Sequence, residues 1–333
     1  MGKKVSLAHG SGGQLTRELV EGIFVPRFRN DALSMLGDSA ELKHDGGRLF
    51  FTTDSFVIKP LEFPGGDIGK LAVCGTVNDL AVSGARPLWI SCGMIIEEGL
   101  DLTVLVRIAD SIAAAATLAG VSVVCGDTKV VEHGGADGLF INTAGIGASL
   151  DGFQRSAVRP GDKILVSGTI GDHEAAVFRV REGLGRKLDV ASDCAPLGGL
   201  VAAMVAAAPS IRMMRDPTRG GVGAVLNELV EGTGCSFSII EEAMPVRNEV
   251  RGMCELVGFE AIYLANEGKL VCFAPAEATP ALLAAMRAHP LGRDAAVIGE
   301  VVADSRERVY LQSPWGGSRI IAMPAGIQLP RIC

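Results

Sequence analysis

A chain of 333 residues is about twice the size of a common single domain, so two packed domains are expected, each able to bury its own core. Hydrophobic residues make up 48% and charged residues 21%, an ordinary globular balance that confines disorder to the ends. The net charge of −7, with no dense run of Lys or Arg, speaks against nucleic acid as a partner.

The N-terminus reaches His9, Gly10 and Gly12 before any apolar run long enough for a signal peptide, and no later run reads as a bilayer span, which gives a cytoplasmic reading. His9-Gly10-Ser11-Gly12-Gly13 precedes a helical stretch from Leu15. Its glycines let N–H groups turn toward an anion, a candidate phosphate cradle, although the spacing is not that of a Walker A loop and a plain turn reads it equally well. Residues 40–44 and 48–53 flank Asp45-Gly46-Gly47 and read as a hairpin. Asp67 is placed to cap a helix from Ile68 to Ser83, stopped by Gly84. A second helix is predicted from Asp101 to Ala119, then a strand over 121–125 that opens into a Gly126-Asp127-Thr128-Lys129 loop, then a strand over 140–148.

Turn chemistry at Val158-Arg159-Pro160-Gly161-Asp162 marks a boundary. Beyond it, helices are predicted over 172–182, 195–208, 220–231, 248–257 and 277–288, with strands near 163–167, 235–240, 269–274, 295–302 and 308–312. A Trp315-Gly316-Gly317 turn and one more strand follow. The pattern is mixed α/β (α+β), with units 1–155 and 156–323 and an aperiodic, mobile tail over 324–333.

Four aspartates stand where aspartate is costly: Asp38 in Gly-Asp-Ser-Ala, Asp54 after a strand, Asp79 within an apolar helix, and Asp127 after another strand. Singly each reads as a turn former or cap, except Asp79. Together they supply the hard oxygen ligands that Mg²⁺ takes while bridging nucleotide phosphates. In Asp216-Pro217-Thr218-Arg219-Gly220-Gly221, Arg219 can set its guanidinium against phosphate, with Asp216 or Thr218 capping the helix that follows. By spacing alone, Lys129 and the Glu267 of Asn266-Glu267-Gly268-Lys269 read as surface loop residues. Eight cysteines are scattered singly with no CxxC pair, and seven read as buried thiols. The eighth, Cys333, is the last residue; the roughly 18 residues from Trp315 onward could span on the order of 60 Å, enough to carry the thiol into an active site.

With these segments, the Pro64-Gly65-Gly66 to Asn78-Asp79 stretch, Gly126 to Val131 and the terminal Pro330-Arg331-Ile332-Cys333, the chain resembles the HypE family of hydrogenase maturation factors over nearly its whole length. The Asn-Asp, Gly-Asp and Asp-x-Thr-Arg-Gly-Gly elements are shared with aminoimidazole ribonucleotide synthetase, selenophosphate synthetase and thiamine monophosphate kinase, so they indicate ATP use; the terminal Pro-Arg-Ile-Cys is the specific element. The resemblance implies an N-terminal domain that pairs its sheet with a second subunit's into a dimeric β-barrel, a C-terminal α/β sandwich domain, and ATP in clefts at the homodimer interface. It implies that HypF loads a carbamoyl group onto Cys333, that ATP-dependent dehydration converts the carboxamide to thiocyanate, and that a HypC–HypD complex takes the cyanide for nickel–iron hydrogenase. Carried over residue by residue, Cys333, Glu267 and Lys129 are catalytic, Gly10, Gly12, Gly13, Asn78 and Arg219 bind ATP, and Asp38, Asp54, Asp79 and Asp127 hold Mg²⁺. Two other readings use the same residues. A synthetase or kinase acting on a free small molecule would not need Cys333, and a carrier without catalysis would consume no ATP; the aspartates argue against the carrier.

Overall fold

The computed structural model describes residues 4–6, 18–30, 46–185, 188–324 and 332–333. The predicted phosphate cradle with Gly10, Gly12 and Gly13, together with Asp38 and the first hairpin strand over 40–44, lies outside the described residues.

The first half forms a four-stranded sheet from β1 (Leu49–Phe56), β2 (Ala85–Glu97), β3 (Ser122–Val131) and β4 (Leu139–Ser149), in the order β1-β4-β2-β3. Strands β2 and β3 are parallel and need a crossover, which α2 (Leu102–Ala119) supplies. Asp101 caps α2 by accepting from the Thr103 N–H. Asp67 caps α1 (Ile68–Val82) by accepting from the N–H groups of Gly69 and Lys70. Helix α1 is apolar nearly all round and correspondingly buried nearly all round. Its end joins the second half of the chain: Ala81 and Val82 share a core with Leu197, Leu200 and Met214.

Three parts of this half depart from the sequence reading. Strand β2 has no counterpart in it, because Pro87 and Gly93 break the alternation; the structure places Pro87 at a bulge, where a missing N–H is tolerated. Strand β3 does not open into a loop at Gly126 but continues to Val131, held in a parallel ladder that pairs Gly93 with Asp127 and Ile95 with Lys129. Helix α2 is long and apolar enough by itself to cross a bilayer, contrary to the reading of no such stretch. Its Leu105, Ile108, Ile112 and Ala116 pack into the first core, while Arg107 pairs with Glu62 and Asp110 with Arg27, so it is a core helix with a charged outer face.

One face of this sheet carries α1 and α2. On the other, Phe51, Leu49 and Ile95 are 70%, 53% and 43% exposed, an apolar surface that no helix covers among the described residues.

The second half is built on a seven-stranded sheet of β5 (Lys163–Val166), β6 (Met213–Arg215), β7 (Ser236–Ile240), β8 (Val271–Ala274), β9 (Ala296–Val302), β10 (Val309–Gln312) and β11 (Ser318–Ile321). The order is β11-β10-β7-β9-β5-β8-β6, antiparallel except for β7 with β10. Val271 and Phe273 point into one core with Val222 and Leu226 of α5 (Gly221–Val230). Cys272 and Ala274 point the other way, toward α4 (Gly198–Ala207) and α7 (Thr279–Ala288). Both faces are therefore buried, which is why these strands read as unbroken apolar runs. The remaining helices, α3 (Asp172–Arg181) and α6 (Asn248–Val257), pack on each other at one end.

Ile332 is 2% exposed, and the Val57 N–H donates to the main-chain oxygen of Cys333 at 3.2 Å, so these two residues are anchored against the first half, while residues 325–331 of the predicted tail lie outside the described residues. Of the other seven cysteines six are buried, and Cys125 is half-buried on β3.

Candidate active site around the terminal cysteine

Each wall of the site has a local cause. Gly220 and Gly221 both take positive φ where the chain turns into α5. A Cβ on Gly221 would also stand 2.5 Å from the Leu264 carbonyl, so glycine is required there twice over. The helix has no side-chain cap, which corrects the expectation that Asp216 or Thr218 fills that role and leaves the Asp216 carboxyl free for the site. Asn266, wholly buried, ties the Asp216–Arg219 loop to the Glu267 segment: its Nδ2 donates to the Pro217 and Leu264 carbonyls at 2.9 and 3.0 Å, and its Oδ1 accepts from the Gly171 N–H at 2.8 Å.

Asn78 performs the matching task from α1. Nδ2 donates to the carbonyls of Ala195 and Glu267, both at 3.1 Å, and Oδ1 accepts from the Leu197 N–H at 2.7 Å. Its polar atoms are thus engaged by backbone in the interior, so Asn78 clamps the two halves together.

Into this frame comes the terminal thiol. The Cys333 sulfur accepts from Nη2 of Arg219 at 3.1 Å. Burial, reinforced by the charge of Glu267, pushes the thiol up to about 11, with Arg219 opposing. Glu267 is 3% exposed and its Oε1 has no hydrogen-bond partner. Burial first, then Asp193, Asp216 and Asp54, raise its carboxyl well above the usual range. Its backbone N–H is held by Asp193, whose other oxygen accepts from Gly268 N–H and Lys269 Nζ.

Asp54, Asp79 and Asp216 act on one another through space. Burial raises all three, Asp216 to about 7; the charge of Asp79 adds to the rise at Asp54, and the charges of Asp79 and Asp54 add to it at Asp216. Thr52 donates to Asp79 at 2.9 Å. Asp79 and Asp216 line a cavity of about 560 Å³ with Arg48, Arg155, Arg215 and Phe153. Arginines suit phosphate oxygens, and carboxyls that are costly to ionise alone suit a cation arriving with those phosphates. The donor set therefore fits Mg²⁺.

The structure thus brings Cys333, Glu267, Arg219, Asp54 and Asp79 together. It separates Asp127 and Lys129 from them, contrary to a metal site and a catalytic pair drawn from one chain. Asp127 lies level with Ser55 across β4 and β2, about 14 Å away at ordinary strand spacing, and Lys129 is exposed and 3.5 Å from Asp127. Asp216, read beforehand only as a cap, joins the site; the signal was a carboxylate two residues after the apolar Met213-Met214 pair.

The fold and this cavity define an AIR synthase related protein. The description "AIR synthase related protein, N-terminal domain" matches residues 36–149, and its C-terminal counterpart matches residues 159–312. Carbamoyl dehydratase HypE of Azotobacter vinelandii is 53% identical over 331 residues, 99% of this chain and 97% of that protein. The crystal structure of hydrogenase maturation protein HypE in complex with ATP superposes with a TM-score of 0.94 at 44% identity, covering 98% of this chain and 99% of that one. A HypE–HypF complex superposes at 0.80 with 45% identity, covering 92% and 99%. The chain belongs to the carbamoyl dehydratase HypE family.

Proposed function

We propose that this chain catalyses the ATP-dependent dehydration of an S-carboxamide on its own Cys333 to a thiocyanate, the source of cyanide ligands for nickel–iron hydrogenase. The docked thiol carries the reading: Cys333 Sγ sits 3.1 Å from Arg219 and close enough to Glu267 for that carboxyl's charge to raise the thiol. A free small molecule could react there only after displacing the chain's own terminus.

An amide cannot expel oxide, so its oxygen must first become a leaving group. The carboxamide oxygen attacks the γ-phosphorus of ATP, the bond to ADP breaks, and one N–H proton is lost, giving an O-phosphorylated imidate. The second nitrogen proton then passes to Glu267 while the C–O bond breaks, phosphate leaves and the nitrile forms. The carboxamide has lost one water, and ATP has become ADP and phosphate. Arg219 stands where it can offset charge on the transferring phosphoryl group. Burial makes the Glu267 carboxylate a stronger base once ionised, and its free Oε1 is the atom to take the proton. Asp54, Asp79 and Asp216, with Asp38, would hold Mg²⁺, which supplies neutralising charge to the phosphates. The Gly10, Gly12 and Gly13 segment would add backbone donors for those phosphates.

Lys129 and Asp127 enter this scheme through a homodimer. The open face of the first sheet is apolar at Phe51, Leu49 and Ile95, and a two-fold partner stacked there would close a barrel with its β3 edge beside this β1. The second copy's Asp127 and Lys129 then approach Asp54 and Glu267. Units 1–155 and 156–323, HypF as the loading partner, HypC–HypD as the acceptor, and a cytoplasmic setting complete the proposal; the HypE–HypF structure supports the first partner.

The test is the intact mass of carbamoylated protein before and after ATP. Loss of one water is expected. Unchanged mass, or full ATP-dependent turnover of a free substrate by Cys333→Ala, would overturn the reading.

A further inference from the structure

A second buried titratable group touches the terminal dipeptide, and the chemistry above makes no use of it. His173, in the first turn of α3, is wholly buried. Its Nε2 lies 2.7 Å from the Ile332 carbonyl oxygen and its Nδ1 lies 2.8 Å from Ser192 Oγ. A carbonyl can only accept, so Nε2 carries the proton. Nδ1 then accepts from the Ser192 hydroxyl, whose oxygen in turn accepts from the Cys194 N–H at 3.1 Å. Every atom of the relay has a defined role, and burial holds the imidazole in its neutral form. Phe63 packs edge-on against the ring with centroids 5.3 Å apart. Ser192 is fixed as well: its N–H donates to the Pro64 carbonyl at 2.7 Å, where a Cβ on Gly65 would stand 2.6 Å from the Ser192 carbonyl.

We propose that His173 is a positioning residue for the reaction, holding the Ile332 carbonyl so that the next residue delivers its sulfur to Arg219 and Glu267. Three donors from separate parts of the chain then grip the last two residues: His173 on the Ile332 carbonyl, Val57 N–H on the main-chain oxygen of Cys333, and Arg219 on the sulfur. Without the first, the buried Ile332 carbonyl loses its partner and the register of the terminus is no longer set at that point. Because the group on Cys333 must be loaded from outside, the grip has to be reversible, and a few hydrogen bonds satisfy that where a covalent tether would not. This inference rests on reading Cys333 as the carrier of the reacting group.

The experiment compares wild type, His173→Ala, His173→Gln and Ser192→Ala in two assays. The first is the rate at which iodoacetamide alkylates Cys333 in the unloaded full-length protein without ATP, read by mass spectrometry of the C-terminal peptide. The second is single-turnover water loss from carbamoylated protein at saturating ATP. His173→Ala should alkylate about five- to tenfold faster, the effect of one lost hydrogen bond on docking. Its dehydration should slow by about tenfold to a hundredfold, because the reacting atoms are misplaced. His173→Gln, whose Nε2 can reach the same carbonyl, should recover most of both. Ser192→Ala keeps the ring and should move both rates the same way by a smaller factor, so the proposal stays testable should His173→Ala fail to fold. Opposite shifts in the two rates with rescue by glutamine support it. Alkylation at the wild-type rate in both His173→Ala and Ser192→Ala, or a glutamine variant no better than alanine, overturns it. The alkylation assay involves no ATP chemistry, so failure of the latch and failure of wild type to lose water remain separate results.

Discussion

Asn78→Ala tests whether this side chain is a clamp or a nucleotide ligand. The substitution strips the Leu197 N–H of its acceptor at 2.7 Å and the Ala195 and Glu267 carbonyls of their donors at 3.1 Å, all in the interior. An unpaired buried polar group costs about 1–3 kcal/mol; with partial relief as water enters, the three together should cost about 2–4 kcal/mol. That is a large share of the roughly 5–15 kcal/mol that holds a typical protein folded. Urea unfolding followed by tryptophan fluorescence and far-UV circular dichroism should show a lower midpoint with little change in slope. Because Glu267 loses a backbone tether, single-turnover dehydration should fall too, while ATP affinity of the folded protein changes little. An unchanged midpoint together with lost ATP binding would refute the clamp and restore the nucleotide role.

Other substitutions separate the remaining roles. Glu267→Gln should slow single-turnover dehydration by about 10²- to 10⁴-fold, the usual worth of a general base, with ATP binding intact; dehydration at the wild-type rate would remove Glu267 from the mechanism. Asp79→Asn should weaken Mg·ATP binding by tenfold or more, about 1.4 kcal/mol, in isothermal titration, and unchanged affinity counts against a metal role. Phe51→Asp places a charge in the open apolar face, so if the proposed dimer forms there, sedimentation velocity should show a dimer for wild type and a monomer for the variant. Glu174, buried and pushed up to about 7, holds a proton in the folded state that the unfolded chain releases above its ordinary value of 4.5. Its contribution is therefore full below about pH 4.5 and is lost as pH rises toward 7. Glu174→Gln should remove that loss, raising stability at neutral pH relative to wild type by on the order of 2 kcal/mol and leaving acid stability alone. Parallel pH profiles of the two proteins would contradict it.

Local chemistry was legible wherever neighbours in sequence decide the outcome. The Asp67 and Asp101 caps, the Gly120 stop and the apolar strands of the second sheet follow from residues a few positions apart, and the structure realises each. The terminal Cys333 and the Arg219 loop were also singled out by pattern. What the chain could not disclose are relations between distant segments. Whether β2 forms depends on the partners that β3 and β4 provide, not on its own alternation, which Pro87 and Gly93 break. Only the resemblance assigned Asn78 a role, and its clamp was invisible because its three partners lie more than a hundred residues away. The same holds for Glu267, whose raised carboxyl comes from burial and from Asp193, Asp216 and Asp54 gathered by the fold. Burial and through-space charge are properties of packed neighbours, so only the tertiary structure could decide them.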